Sequence, residues 1–541
     1  MTYDYIIVGA GSAGCILASR LTDSGRFSVL LLEAGGSDDA LRFRIPIGFL
    51  NTYYNSSCNW MYYSQPEAAL GNRAIYCPRG KVLGGSGSIN ALIYVRGQRQ
   101  DFTDWAANGN AGWSFDDVLP YYKRLEAHPL GNTEFHNAAG PIHITQMKSG
   151  AHRICAAFLE GCASLGYVRN DDFNGASLEG AGIYDINTRK GLRDSSSRAY
   201  LRPALQRPQL RVERHCLAEK ILFDDRKRAI GVAVRQNGEA RQCYAAREVI
   251  LSAGAVDTPK LLQLSGVADQ ALLAKHGIAV VRHAPAVGQN LQDHLCVSYF
   301  FKANQRTLND AYGTWAGKVR VGLQYLLTRK GPISLSVNQA GAFLKSTDTQ
   351  EYPNIQLYFN PLSYEIPKGR IASLRPEPYS GFLLAFSPCR PTSRGTVEIA
   401  SNSVSDAPLI RPNYLATQKD IDDVIHGSVL VRKLMQAPAL KAITLAEVKP
   451  GNAVRSAEEM LQYFRAEAGS IYHLCGSCAM GRNPLTSVVS DRLKVHGVEA
   501  LRIVDASIFP NVTSGNINAP TMMVAEKAAV AILEDASATL Q

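Results

Sequence analysis

No uninterrupted apolar run in the 541-residue chain reaches the roughly 18 residues that would mark a membrane span. Met1 to Val8 alone precede the first glycine turn, without the basic and apolar segments of a secretory leader. A cytoplasmic protein is expected, with at most peripheral contact at the inner membrane. Internal repeats and low-complexity tracts are also missing, which argues against solenoids and disorder. The 11 cysteines are an odd, scattered set, unlike a disulfide framework, and fit reduced thiols. Cys475-Gly-Ser-Cys478 has no second CxxC, no paired histidines and no thioredoxin-like βαβ unit before it, so no metal or redox pair is read there. The net charge of +10 comes from cations interspersed with acids. Its densest stretch, Arg189 to Arg214, lacks the interleaved aromatics of a base-stacking surface. It reads as a solvated basic face and not a nucleic-acid site, with weak attraction to an anionic membrane surface as the second reading.

What is present is informative from the first residues. The length exceeds what one hydrophobic core serves, so at least two domains are expected. Asp4 to Val8 reads as a strand, Gly9-Ala-Gly-Ser-Ala-Gly14 as a tight turn, the stretch to Leu21 as a helix, and Ser28 to Glu33 as a second strand ending in an acid. In that order, Gly9 permits the turn, Gly11 lets backbone approach a pyrophosphate, and Gly14 lets the helix pack close to the strand. The helix start aims N–H groups at phosphates, and Glu33 can accept from ribose hydroxyls. An adenine dinucleotide follows, flavin or nicotinamide. Glu248-Val-Ile-Leu251 and Leu501-Arg-Ile-Val504 read as further buried parallel strands, each followed by a small-residue turn. Between about 300 and 455 shorter alternating strands, such as 355–359 and 395–400, suggest an antiparallel sheet, with a ligand held in the cleft between the two domains.

The stretch Pro78-Arg-Gly-Lys-Val-Leu-Gly-Gly-Ser-Gly-Ser-Ile-Asn-Ala-Leu-Ile-Tyr-Val-Arg96-Gly97 can wrap a flat, polyphosphate-bearing ligand through Gly84, Gly85 and Gly87. It resembles the first signature of the glucose-methanol-choline oxidoreductases, FAD enzymes that oxidise alcohols. Further stretches match that family in order: Arg193 to Leu201, Gly254 to Gly266, Val287-Gly-Gln-Asn-Leu-Gln-Asp-His294, His473 to Gly481, and Asp505 to Thr521. The similarity is strongest to its bacterial, choline-dehydrogenase-like branch.

The resemblance implies an α/β FAD-binding Rossmann-like domain of the GMC/PHBH type built from residues 1–155, 205–300 and 456–541. A substrate-binding α+β domain with an antiparallel sheet would take 156–204 and 301–455. Against FAD it places Gly9, Gly11, Ser12, Ala13, Gly14, Glu33, Ala34, Trp60, Arg79, Val82, Leu83, Gly84, Gly85, Ser88, Asn90, Ala91, Ala218, Ser252, Ala253, Gly254, Tyr472, Asp505, Ala506, Asn516 and Thr521. Ile89 stands where some members carry a histidine that binds FAD covalently, so the cofactor should be non-covalent. His294 is expected to be structural, at the domain boundary, and the CxxC a by-product of the family motif.

Hydride abstraction from an alcohol needs a base for the hydroxyl proton and a group that holds the alkoxide. His473 has the side chain titrating nearest neutrality. The resemblance makes it the base and Asn518 its partner on the same oxygen. The expected reaction takes a primary alcohol to an aldehyde, with electrons passed to a quinone or other acceptor. An oxidase using O2 and releasing H2O2, a hydroxynitrile-type lyase, a light-driven decarboxylase and a non-catalytic flavin module are the alternatives. Tyr472, Tyr358, Phe359 and Phe386 read as pocket lining or sheet core. No carboxylate or aromatic cage for a quaternary ammonium can be placed, so choline itself is not supported.

Overall fold

The computed structural model describes residues 2–365 and 375–538. Two seven-stranded sheets organise it. In the first, the strand Thr2–Val8 lies parallel between Val29–Leu32 and Glu239–Leu251. Leu210–Glu213 extends one side, and Leu501–Ile503 pairs parallel with Val249 to Leu251. Cys216–Phe223, Ala229–Gln236 and Glu239–Leu251 form an antiparallel meander on the other side. The parallel strands are continuous apolar runs because helices cover both faces. The Ser12–Leu21 helix packs there against the long C-terminal helix Asn518–Ala538. Arg20 on the first helix reaches the buried Glu526 on the second.

The second sheet is antiparallel, ordered Thr444–Lys449, Leu295–Ala303, Gly381–Pro388, Ile355–Asn360, Ala340–Leu344 and Gly180–Ile183, with Gly469–Ser470 also on Leu295–Ala303. It takes its first long strand from residue 295, ahead of the boundary expected at 301. Gly469–Ser470, expected in the cofactor domain, joins it too. Thr396–Glu398 stays outside, in a two-stranded ladder with Leu409–Arg411. Ile355–Asn360 is buried on both faces. Phe359 stacks on Phe158 and meets Phe382 at a tilt on one side, while Tyr358 and Asn360 face a cavity on the other.

The basic stretch is largely neutralised. Arg198 and Arg202 pair with Asp38 and Asp39, Arg207 with Asp23 and Arg211 with Glu213. Arg193 is buried. The expectation of a solvated basic face is therefore corrected in part: the acids that pair with Arg198, Arg202 and Arg207 lie far away in sequence, while Glu213 belongs to the stretch itself. All eleven cysteines are free, Cys475 and Cys478 both buried. Among the described residues no helix is long and apolar enough to cross a membrane.

Candidate active site

A cavity of about 460 Å³ runs from the glycine turn to the face of the second sheet. At one end, Gly14 shows why the turn needs glycine: a Cβ there would lie 2.0 Å from the Gly9 carbonyl oxygen. Gly11 differs. Nothing in the protein comes closer than 3.7 Å to a Cβ at that position, and it faces the cavity. Packing therefore does not demand glycine at 11, whereas a group seated on the helix start would. The Glu33 carboxylate accepts from the Ala10 and Gly35 N–H groups at 3.0 and 2.7 Å. Burial pushes it up to about 7 against the downward pull of those two bonds. Asp505 accepts from Gly254 N–H and the Thr258 hydroxyl, tying the last parallel strand to the helix Gly254–Leu264.

The glycine-serine loop is held from outside. Arg193 donates to the carbonyls of Gly87 and Asn90 and to Asn90 Oδ1, and burial lowers its guanidinium to about 9. Arg193, the first residue of its motif, thus holds the loop in place. Ile89 packs with Phe43, Cys58 and Val82 and offers no nucleophile.

His473 sits at the other end, nearly buried, with its main chain fixed by two groups. Its N–H donates to Asp293 Oδ1 at 2.8 Å, and Arg79 donates to the preceding carbonyl of Tyr472 at 2.7 Å. Asp293 also accepts from the Tyr414 and Ser470 hydroxyls. The imidazole lies between two partners. Nδ1 is 2.8 Å from His294 Nδ1, and Nε2 is 3.1 Å from Asn516 Nδ2.

Donor and acceptor logic fixes the tautomers along this line. The Cys389 carbonyl, 2.8 Å from His294 Nε2, can only accept, so that nitrogen carries a proton. Burial holds His294 down to about 4, so it is neutral and its Nδ1 is a bare acceptor. His473 Nδ1 must then donate, leaving its Nε2 with a free lone pair directed at Asn516. The amide is oriented in turn: Gln356 Nε2 donates to Asn516 Oδ1 at 3.4 Å, and the Tyr358 hydroxyl donates to Gln356 Oε1 at 2.7 Å. Burial, with help from the His294 and Arg79 sides, keeps His473 well below an ordinary histidine and hence unprotonated.

Two expectations change. Asn518 does not face His473: as the first residue of the C-terminal helix it turns toward the glycine turn, and its Oδ1 accepts from Ser12 Oγ at 2.8 Å. Asn516, expected on the cofactor, is the residue at the imidazole. His294, expected to be structural at the domain boundary, directly precedes the strand Leu295–Ala303 and touches His473.

Most expected cofactor residues line the cavity: Gly9, Gly11, Ser12, Ala13, Glu33, Ala34, Trp60, Arg79, Gly85, Asn90, Ala91, Ala218, Ser252, Ala253, Gly254, Tyr472, Asp505, Ala506, Asn516 and Thr521. Gly14, Val82, Leu83, Gly84 and Ser88 do not, because they build its scaffold. Val82 is in the Phe43 cluster, Leu83 and Gly84 donate N–H to Gly36 and Ala10 carbonyls, and Ser88 donates to the Leu83 carbonyl. Residues that sequence reasoning missed include Asp257 and Lys260, one turn apart on the Gly254–Leu264 helix, and Tyr53, Cys296, Ser298, Asn338, Asn360 and Tyr364. For Asp257 and Lys260 the signal was available, since both fall in a matched motif. Tyr53 and the second-sheet residues carry none.

A dinucleotide cradle, a neutral buried imidazole with a free lone pair and a cavity joining them define an FAD-dependent oxidoreductase acting on alcohols. The chain belongs to the GMC oxidoreductase family, whose N-terminal model matches residues 3–296 and C-terminal model residues 391–525. It is 40% identical over 536 residues to the mitochondrial choline dehydrogenase of Mus musculus, covering 97% of this chain and 89% of that protein. An alcohol dehydrogenase (acceptor) of Pseudomonas putida is 39% identical, with 98% and 96% covered. Among solved structures, pyridoxine 4-oxidase from Mesorbium loti superposes with a TM-score of 0.88 at 28% identity, covering 97% and 98% of the two chains.

Proposed function

We propose that the protein oxidises a primary alcohol to the aldehyde, with His473 Nε2 taking the hydroxyl proton and Asn516 Nδ2 donating to the same oxygen. The observation that carries this reading is the chain of hydrogen bonds from Tyr358 through Gln356, Asn516, His473 and His294 to Cys389, in which Nε2 is left as the bare atom. Protonation of Nε2 would make the Nδ1–H bond to His294 charge-assisted and so stronger. FAD, when bound, supplies the hydride acceptor at its N5. Gly11, Ser12, Glu33, Ser252, Asp505 and Asn518 would hold it at the glycine-turn end. Ile89 leaves the attachment non-covalent, and acid precipitation should release free flavin.

The second sheet and its loops contribute Cys296, Ser298, Val337, Asn338, Tyr358, Asn360, Tyr364, Leu383, Ala385, Gly469 and Ser470, and Glu467, just before Gly469–Ser470, also lines the cavity. This wall combines hydrogen-bonding groups with the rings of Tyr53, Tyr358, Tyr364 and Tyr472, which suits a primary alcohol with an apolar or aryl body. Under anaerobic conditions, a panel of aliphatic, aryl, furanic and amino alcohols should contain primary alcohols that bleach the flavin; failure of every one would overturn the assignment. His473→Ala should cost about 10²–10⁴ in the rate of bleaching. A variant with FAD bound and an unchanged rate would remove His473 from the base role. Electrons then pass to a quinone or other acceptor, so dye or quinone reduction without oxygen should outpace peroxide formation in air. The name of the similar pyridoxine 4-oxidase keeps O2 as the second reading, which abundant peroxide would select.

A further inference from the structure

The helix Trp315–Thr328 stands off the molecule. Only Val321 and Tyr325 are buried along it. Trp315, Val319, Leu323, Leu326 and Leu327 are 80%, 39%, 53%, 67% and 82% exposed. Their spacing puts all five on one face. Fourteen large apolar side chains are exposed among the described residues, and five of them on one helix make a patch, not scatter.

Along the helix itself the charges have one sign. From Ala311 to Lys330 the chain carries Lys318, Arg320, Arg329 and Lys330 and no acid. Lys318 and Arg320 lie on opposite flanks of the apolar face. The Tyr325 hydroxyl donates to the Gly191 carbonyl at 2.9 Å, which brings the turn carrying the exposed Arg189 and Lys190 against the helix. The exposed Arg189 end of the basic stretch thus lies beside the patch.

We propose that this face docks on an anionic lipid bilayer, with the apolar side chains entering the headgroup boundary and the flanking cations meeting lipid phosphates. An apolar stripe edged with cations is the pattern of helices that lie in a membrane interface. A second copy fits poorly, because a two-fold contact of this stripe with itself would bring the basic flanks together. The helix leads through Pro332–Ser334 to Val337 and Asn338 on the cavity wall, so docking sets the cavity beside the bilayer. The docking does not rest on the reading of the substrate.

The test is co-sedimentation of the FAD-loaded protein with vesicles of phosphatidylcholine alone or with about one-third phosphatidylglycerol. Binding is expected on the anionic vesicles only, with release in 1 M salt, where the screening length falls to about 3 Å. Lys318→Gln with Arg320→Gln should lower partitioning about 25-fold, at about fivefold per cation. Leu323→Asp with Leu327→Asp should abolish it. Both double variants should keep wild-type turnover of an alcohol with a soluble dye, which shows that they fold. No uptake by anionic vesicles overturns the proposal, as does uptake unchanged in both variants. So does sedimentation velocity showing copies joined through this face and separated by the Leu-to-Asp pair, without vesicle binding.

Discussion

Replacing His294 by leucine tests the tautomer assignment at the base. In the native site the His473 Nδ1–H has one acceptor, the bare Nδ1 of His294 at 2.8 Å. Leucine fills similar space and removes that lone pair. A buried donor left unpaired costs about 1–3 kcal/mol. The alternative tautomer escapes this by moving the proton to Nε2, where Asn516 can turn its carbonyl oxygen to accept. At about 1.4 kcal/mol per factor of ten, the competent tautomer loses about 5- to 150-fold in relative population. The rate of flavin reduction should fall by the same factor, about 5- to 150-fold. Anaerobic stopped-flow bleaching of the FAD-loaded variant gives the rate, and ¹⁵N resonances of the His473 ring report which nitrogen carries hydrogen. His294→Asn, whose Oδ1 falls near the missing Nδ1, should recover much of the rate. A leucine variant that keeps FAD and reduces it at the wild-type rate would refute the argument. Equal losses in the leucine and asparagine variants, with His473 still protonated at Nδ1, would assign His294 a packing role alone.

Other outcomes follow from the same geometry. Asn516→Ala should slow flavin reduction by about tenfold or more, the worth of a hydrogen bond to a developing charge, while Asn518→Ala should instead weaken FAD retention, measured by titrating apoprotein. Gly11→Ala has room for its methyl in the protein and should fold normally but bind FAD weakly, whereas Gly14→Ala meets the Gly9 carbonyl and should lower the thermal midpoint. His136 links the buried Glu126 to Asp172 at 2.8 Å each. Burial alone would lower it, but those two hydrogen bonds prevail and raise it to about 9. Because the folded value lies above the unfolded one near 6.5, its stabilisation is complete below pH 6.5 and lost as pH rises through 9. Thermal midpoints should therefore fall across that window in the native protein, and less so in His136→Gln.

Much of this was legible in the chain. The parallel strands announced themselves as continuous Val, Ile and Leu runs, and the glycine spacing placed the helix start, because both are dictated by local sterics. His473 was reached through its motif. The partner of His473 was not, because Asn516-Ile-Asn518 straddles the start of a helix. Two identical side chains two residues apart point in different directions only once that helix is laid down. His294 and the acids that neutralise Arg198, Arg202 and Arg207 escaped for a related reason: each contact joins segments more than a hundred residues apart. The outward face of Trp315–Thr328 has the same apolar spacing as an ordinary core helix, and only packing shows which way it turns.

The residues that grip the base, Asp293 and His294, immediately precede the strand Leu295–Ala303, whose later members Cys296 and Ser298 reach the cavity wall. The groups that hold the proposed proton acceptor and part of the substrate wall are therefore mounted on one continuous piece of backbone. Side chains further along that sheet can be exchanged to suit a longer, flatter or more polar alcohol while the imidazole keeps its seat. Natural drift or directed evolution thus has a route to new substrates that leaves the chemical step intact, and the profitable positions for library design are Ser298, Asn360 and Ala385, not the residues around His473 or the Tyr358–Gln356 pair that orients Asn516.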